Sequence, residues 1–128
     1  MRIDVLLRAE SPADTIRFYV QELGMFQVDA DYGMDAWLLR AIANPAICIQ
    51  ITPWHPVPRA TPAFALTVPS CDLEFRRLRA QRFAGGGGLV PDEHGVLDVF
   101  EWPGGKNFML EDPGGNRFLL CEDHIASP

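Results

Sequence analysis

The sequence predicts an α+β fold in which two βαβββ units form a curved mixed β-sheet around a central cavity. Three observations carry this. Strand-like and helix-like segments run in the order βαβββ over residues 1–53 and again over 62–122. A segment with four prolines and no periodicity, 53–62, separates the two runs. A lone unit of this kind leaves one sheet face uncovered, so two units must pair around a shared concavity. With 128 residues the chain is expected to be a single domain of two repeats, able to bury roughly two thirds of its extended-chain surface.

The first unit opens with a mostly apolar strand, Ile3–Arg8. Ser11-Pro12-Ala13-Asp14 then starts a helix, with Ser as N-cap, Pro at the first helical position and Asp in the first turn. Ile16, Tyr19, Val20 and Leu23 recur at i, i+3, i+4 and i+7 and predict its apolar face, and Gly24 is placed to stop it. Strands are expected at Met25–Ala30, Ala36–Ala41 and Ala46–Thr52, with Gly33 and Asn44-Pro45 marking turns. The second unit repeats the order: strand Ala63–Val68, helix Ser70–Gln81, a glycine run Gly85–Gly88, and a short strand near Leu89-Val90. Val96–Trp102 reads as an approach segment to the last pair of strands, and the tail from Asp123 as loose.

That last pair is the most informative stretch of the chain. Asn107–Leu110 and Arg117–Cys121 flank Asp112-Pro113-Gly114-Gly115-Asn116. Proline presets φ near −65° while Gly and Asn accept positive φ, so the segment predicts a β-hairpin with a tight turn.

Composition narrows the function. The net charge of −6 argues against nucleic acid, which needs a basic face to release counterions. It is compatible with a cationic ligand. Four arginines between 76 and 82 read as the solvated side of a helix. Cys48, Cys71 and Cys121 are an odd count without metal-type spacing, which points to reduced thiols and a cytoplasmic setting. No stretch approaches the ~20 apolar residues of a membrane span, and the apolar run at the N-terminus is too short for a signal peptide. Gly85–Gly88 is not a phosphate loop, because no helix follows it and the Lys-Ser/Thr pair is absent. No Ser-His-Asp or Cys-His arrangement falls at related strand ends, so no catalytic residue is assigned.

Taken together, three motifs resemble the vicinal oxygen chelate superfamily, which includes glyoxalase I, extradiol dioxygenases and the fosfomycin and bleomycin resistance proteins. Ser11-Pro12 followed by Phe18-Tyr19 and Leu23-Gly24 looks like the first helix of that family. Leu66-Thr67-Val68 followed by Asp72 and Leu78 resembles its second repeat. The Asp-Pro-Gly-Gly-Asn turn resembles its terminal hairpin. The resemblance spans about residues 3 to 122 and implies the glyoxalase/bleomycin resistance fold.

Metal-dependent members place four ligands, commonly His or Glu, one on each of four strands. Those positions fall here on Asp4, Gln50, Ala63 and Leu119. Ala63 and Leu119 have no donor atom, so the resemblance implies no metal at the usual site. His55, His94 and His124 lie in the linker, a polar loop and the tail, with no shared spacing.

The metal-free bleomycin-resistance branch is the nearest in texture. Glu101-Trp102-Pro103-Gly104-Gly105 resembles the stretch before its last hairpin, and Trp54-His55-Pro56 resembles its linker. The expectation is therefore a cytoplasmic homodimer that binds a small cationic or aromatic antibiotic-like ligand by sequestration, with no cofactor. Trp54 and Trp102 would stack on the ligand. Glu101 would balance the ligand's charge, Asp4 and Asp98 would supply further negative charge, Gln50 would line the site, and Trp37, Phe64 and Phe108 would add further walls. The last three fall within predicted strands, where such rings more often fill a core. The alternative is a metal-dependent lyase, isomerase or dioxygenase whose divalent ion sits at a displaced site built from His55, His94 or Asp4.

Overall fold

In the computed structural model, which describes residues 1–124, the first half runs β1 (Ile3–Arg8), α1 (Pro12–Arg17), a π-helical turn (Phe18–Glu22), β2 (Phe26–Gly33), β3 (Ala36–Ala41) and β4 (Ile47–Thr52). The second runs β5 (Phe64–Thr67), α2 (Cys71–Ala80), β6 (Gly88–Val90), β7 (Phe100–Trp102), β8 (Gly105–Glu111) and β9 (Arg117–Asp123). The tail expected to be loose lies partly outside the described residues. Its described part is ordered: Asp123 ends β9, and the His124 backbone N–H donates to the Gly104 carbonyl at 3.1 Å.

The strands fall into two mixed sheets, and among the described residues no strand pair joins them. The first has the order β1-β4-β3-β2, with β1 parallel to β4. The second has the order β5-β9-β8-β6, with β5 parallel to β9 and β7 on the same edge of β8 as β6. β7 was expected only as an approach segment. It forms a strand because Pro103-Gly104 turns the chain back onto the start of β8, pairing Trp102 with Gly105.

One hydrophobic core spans both halves. It joins Leu7, Phe18, Tyr19 and Ile51 of the first to Phe75, Phe108, Phe118 and Leu120 of the second. Phe18 and Tyr19 meet edge to face at 5.0 Å, and both rings lie within 6.1 Å of Phe118. Each such pair adds about 0.5–1.5 kcal/mol beyond the area it buries.

The first helix departs from the expected face. Thr15, Phe18, Tyr19, Glu22 and Leu23 are buried, whereas Ile16 and Val20 are only half-buried. The cause is the π turn, closed where the Leu23 N–H donates to the Phe18 carbonyl at 2.7 Å. One extra residue per turn shifts the inward stripe away from the 3.6-residue spacing. Ser11 is the N-cap residue, but its side chain makes no capping bond. Ser70 does cap α2, accepting from the Leu73 N–H at 3.2 Å.

The hairpin turn locks the halves together. The Asp112 carboxylate is 1% exposed and accepts from the Gly114 and Asn116 backbone N–H groups, the Asn116 amide and the Tyr19 hydroxyl, the last at 2.8 Å. Asn116 also donates to the Arg8 carbonyl at the end of β1, at 2.8 Å. Gly114 lies so close to that carbonyl that a Cβ atom would overlap it. The glycine run has a similar reason: a Cβ on Gly87 would press into the Phe18 ring and the Glu111 carbonyl. Its neighbour Ala84 is held by Glu22, whose carboxylate accepts the Ala84 N–H at 2.8 Å.

Two outcomes are expected. Gly114→Ala forces the turn off β1 and lowers stability by about 1–3 kcal/mol, measured by urea unfolding. Burial pushes the Asp112 carboxyl above the usual carboxylate range, against the pull of its hydrogen bonds. The native state therefore binds this proton more tightly than the unfolded chain does. The residue's contribution is greatest below the unfolded value and declines as pH rises through the native one. Asp112→Asn, which does not titrate, should be destabilised relative to wild type by about 1–3 kcal/mol. That gap should be wider at pH 4 than at pH 7 if urea midpoints are compared at both.

Candidate functional site

Strand alternation decides which residues can face a ligand, because successive side chains point to opposite sides of a sheet. In β9, Phe118 and Leu120 enter the core, so Leu119 and Cys121 face the other way. In β8, Phe108 and Leu110 point inward, and Asn107 and Met109 outward. In β4, Ile49 and Ile51 point inward, which turns Cys48 and Gln50 outward. Each sheet therefore has a core-facing side and an outer, open side, although on that side of the first sheet Leu38 and Cys48 are 1% and 0% exposed.

On the open face of the first sheet, charges are already matched. Asp4 accepts from the Arg2 guanidinium at 2.7 and 2.9 Å and from the Gln50 amide nitrogen at 2.7 Å. The Arg2 contact holds the Asp4 carboxyl below the usual carboxylate range. Arg40 donates to both oxygens of Asp29 at 3.1 and 2.9 Å and also bonds the Pro45 carbonyl. Asp29 reaches Arg40 because β2 carries an irregularity between Val28 and Ala30.

On the second sheet the open face has an apolar middle, Met109 and Leu119, with Asn107 on one side and the Glu111–Arg117 ion pair at 2.9 Å on the other. Phe100 and Trp102 alternate onto it, and they are 59% and 48% exposed. Glu101, between them, points to the opposite side with Lys106, whose ammonium lies 3.9 Å from Glu101 and 2.7 Å from Asp72 of α2.

The residues expected to bind ligand thus fall into four groups. Asp4 and Gln50 come together on one open face. Trp102 lies on the other, while Glu101 turns away from it. Phe108 sits in the core against Phe75 at 5.3 Å, Phe64 stacks on Phe118 at 4.9 Å, and Trp37 packs against the same core beside Ile51. Trp54 stands exposed at the start of the linker, where its backbone N–H donates to the Thr52 hydroxyl. Arg2, Arg40, Asp29 and Phe100 were not anticipated. Phe100 was within reach, since it lies two residues from Trp102 on the same face of β7, and Arg2 lies two residues before Asp4, just ahead of β1.

The four positions at which metal-dependent members of the resembled superfamily place ligands are equivalent by register. Leu6 opposes Gln50 and Ala65 opposes Leu119, so Asp4 and Ala63 each lie two residues before the paired residue. The donor set is one carboxylate, already bonded to a guanidinium and an amide, one amide carbonyl, and two side chains with no donor. That set does not fit a divalent metal. Elsewhere among the described residues no three His, Cys, Asp or Glu side chains are grouped to hold one. His94 pairs only with the exposed Glu93 at 3.5 Å. His55 has its Nε2 buried without a partner, and burial holds its pKa below the ordinary value.

Two clefts flank the linker. One, about 480 Å³, lies among Arg8, Ser11, Thr15, Pro58 and Gly114. The other, about 360 Å³, lies among Leu6, Val57, Ala63 and Arg117. Neither is lined by Trp54, Phe100 or Trp102. No helix of the described residues is long and apolar enough to cross a membrane.

No protein-family model matches the sequence, and no curated protein is similar to it. Solved structures are. UcmS2 shares 18% identity at a TM-score of 0.70, over 94% of this chain and 98% of that one. TnmS3, an antibiotic binding protein from Streptomyces sp. CB03234, shares 21% at 0.69, over 96% and 97%. A member of the glyoxalase/bleomycin resistance protein/dioxygenase superfamily from Sphaerobacter thermophilus shares 17% at 0.69, again over 96% and 97%. The chain has the glyoxalase/bleomycin resistance fold.

The thiols provide a check on the two faces. Burial pushes the Cys71 thiol up to about 12, and its sulfur donates to the Lys106 and Leu120 carbonyls. Cys48 is fully buried and Cys121 half-buried. In native protein at pH 8, a thiol reagent should modify Cys121 slowly and leave Cys48 and Cys71 untouched, whereas all three react in urea. Mass spectrometry of the labelled peptides reads the result.

Proposed function

We propose that this chain is a metal-free small-molecule binding protein that acts by sequestering a flat aromatic, antibiotic-like ligand. The observation that carries the reading is the replacement of the metal donor set. Where the fold's metal-dependent members need three or four donors, Ala63 and Leu119 leave an apolar surface. Phe100 and Trp102 then add exposed rings to that same open face. A similar structure described as an antibiotic binding protein supports the reading.

In this proposal two copies pair, each covering the open sheet faces of the other, and the ligand lies between them. Apolar area removed from water drives binding, at about 25 cal/mol per Å². Trp102 adds a stacking contact. No bond is made or broken, so protection comes from holding the ligand away from its target.

Titration with a panel of planar antibiotics, cationic and neutral, should quench tryptophan fluorescence saturably, and chelator should leave the affinity unchanged. Trp102→Ala should weaken binding about threefold to tenfold in calorimetry. Stoichiometric zinc, nickel, manganese or iron in protein purified without a histidine tag would overturn the proposal, as would the absence of any saturable ligand.

A further inference from the structure

The open faces of the two sheets carry matching rows of side chains. In the second sheet, Val90, Met109, Leu119 and Ala65 lie side by side across β6, β8, β9 and β5. In the first, Ala30, Leu38, Gln50 and Leu6 lie side by side across β2, β3, β4 and β1, Leu38 buried, Gln50 half-buried and Leu6 exposed. Gln50 stands where Leu119 stands, and it is the only polar residue in either row.

The Gln50 amide is fixed in one orientation. Its Nε2 donates to Asp4 Oδ2 at 2.7 Å, and a carboxylate held by a guanidinium offers only acceptors. The amide cannot flip without placing its oxygen against that carboxylate. Its Oε1 is therefore held away from Asp4, and among the described residues no donor meets it.

The charges beside this row cancel. Arg2 is matched by Asp4, and Arg40 by Asp29, each through two hydrogen bonds. A cationic ligand would find both carboxylates already engaged, and an anionic one would find both guanidinium groups engaged. Displacing either partner strands a charge, which costs more than a hydrogen bond between neutral groups returns.

We propose that Gln50 determines specificity, its Oε1 accepting a hydrogen bond from a hydroxyl or N–H on an uncharged, flat and otherwise apolar ligand. The inference rests on the binding reading above and narrows it, because it selects neutral ligands over cationic ones.

Three probes that share one ring system test it: naphthalene, 1-naphthol and 1-naphthylmethylammonium, titrated by calorimetry at pH 7 into wild type and Gln50→Leu. Wild type should bind 1-naphthol about fivefold more tightly than naphthalene, and the ammonium compound most weakly. In Gln50→Leu the naphthol preference should disappear while naphthalene still binds. Retained naphthalene binding shows that the variant folds, and leucine is already present at the equivalent Leu119. A preference for the ammonium compound in wild type, or a naphthol preference that survives in Gln50→Leu, would overturn this inference and leave the binding reading intact. Failure of all three probes to bind either protein would overturn both.

Discussion

The structure depends on one buried carboxylate. Asp112 gathers two backbone N–H groups of its own turn, the Asn116 amide and the hydroxyl of Tyr19 from the other half of the chain. Each donor offsets part of the cost of removing the carboxylate from water. Burial together with this carboxylate holds the Tyr19 hydroxyl protonated far above the usual phenol range, so it remains a donor. Through Asn116 the same cluster reaches the Arg8 carbonyl, where β1 ends. The turn thereby sets the position of β9, and β9 sets the sidedness of the second sheet. Phe118 and Leu120 face the core only in this register, and only then does Leu119 face outward.

Much of this architecture was legible because local chemistry dictated it. Asp-Pro-Gly-Gly-Asn has few ways to fold, and the bounds of β1 and β3 follow from apolar runs ended by turn residues. The π turn was not legible. A helix face is read by assuming 3.6 residues per turn, and nothing in Arg17–Glu22 announces a wider one. The stripe Ile16, Tyr19, Val20 and Leu23 therefore had to be corrected to one containing Thr15, Phe18 and Glu22.

The candidate site was read less well, because sidedness is a property of pairing. Phe64 and Phe108 carry rings that stack equally well on a ligand or on Phe118 and Phe75. Only their parity with Phe118 and Leu120 places them inside. Glu101 and Trp102 are neighbours in sequence and so belong to opposite faces. The Asp4–Gln50 contact spans 46 positions, and it became visible once β1 was seen to lie parallel to β4. The same pairing lines up two matched rows, apolar except at Gln50.

Arg77 of α2 donates to the carbonyls of Glu22 and Leu23 at 3.3 and 2.8 Å, closing the end of the first helix with a side chain from the second half. Tyr19 waits for a partner 93 residues further on. During synthesis the first half therefore leaves the ribosome as a unit whose helix end, tyrosine hydroxyl and core face are all unmatched. At about 5–20 residues per second, several seconds pass before the terminal hairpin arrives. For that interval Phe18 and Tyr19 lack the Phe118 ring they pack against in the folded chain.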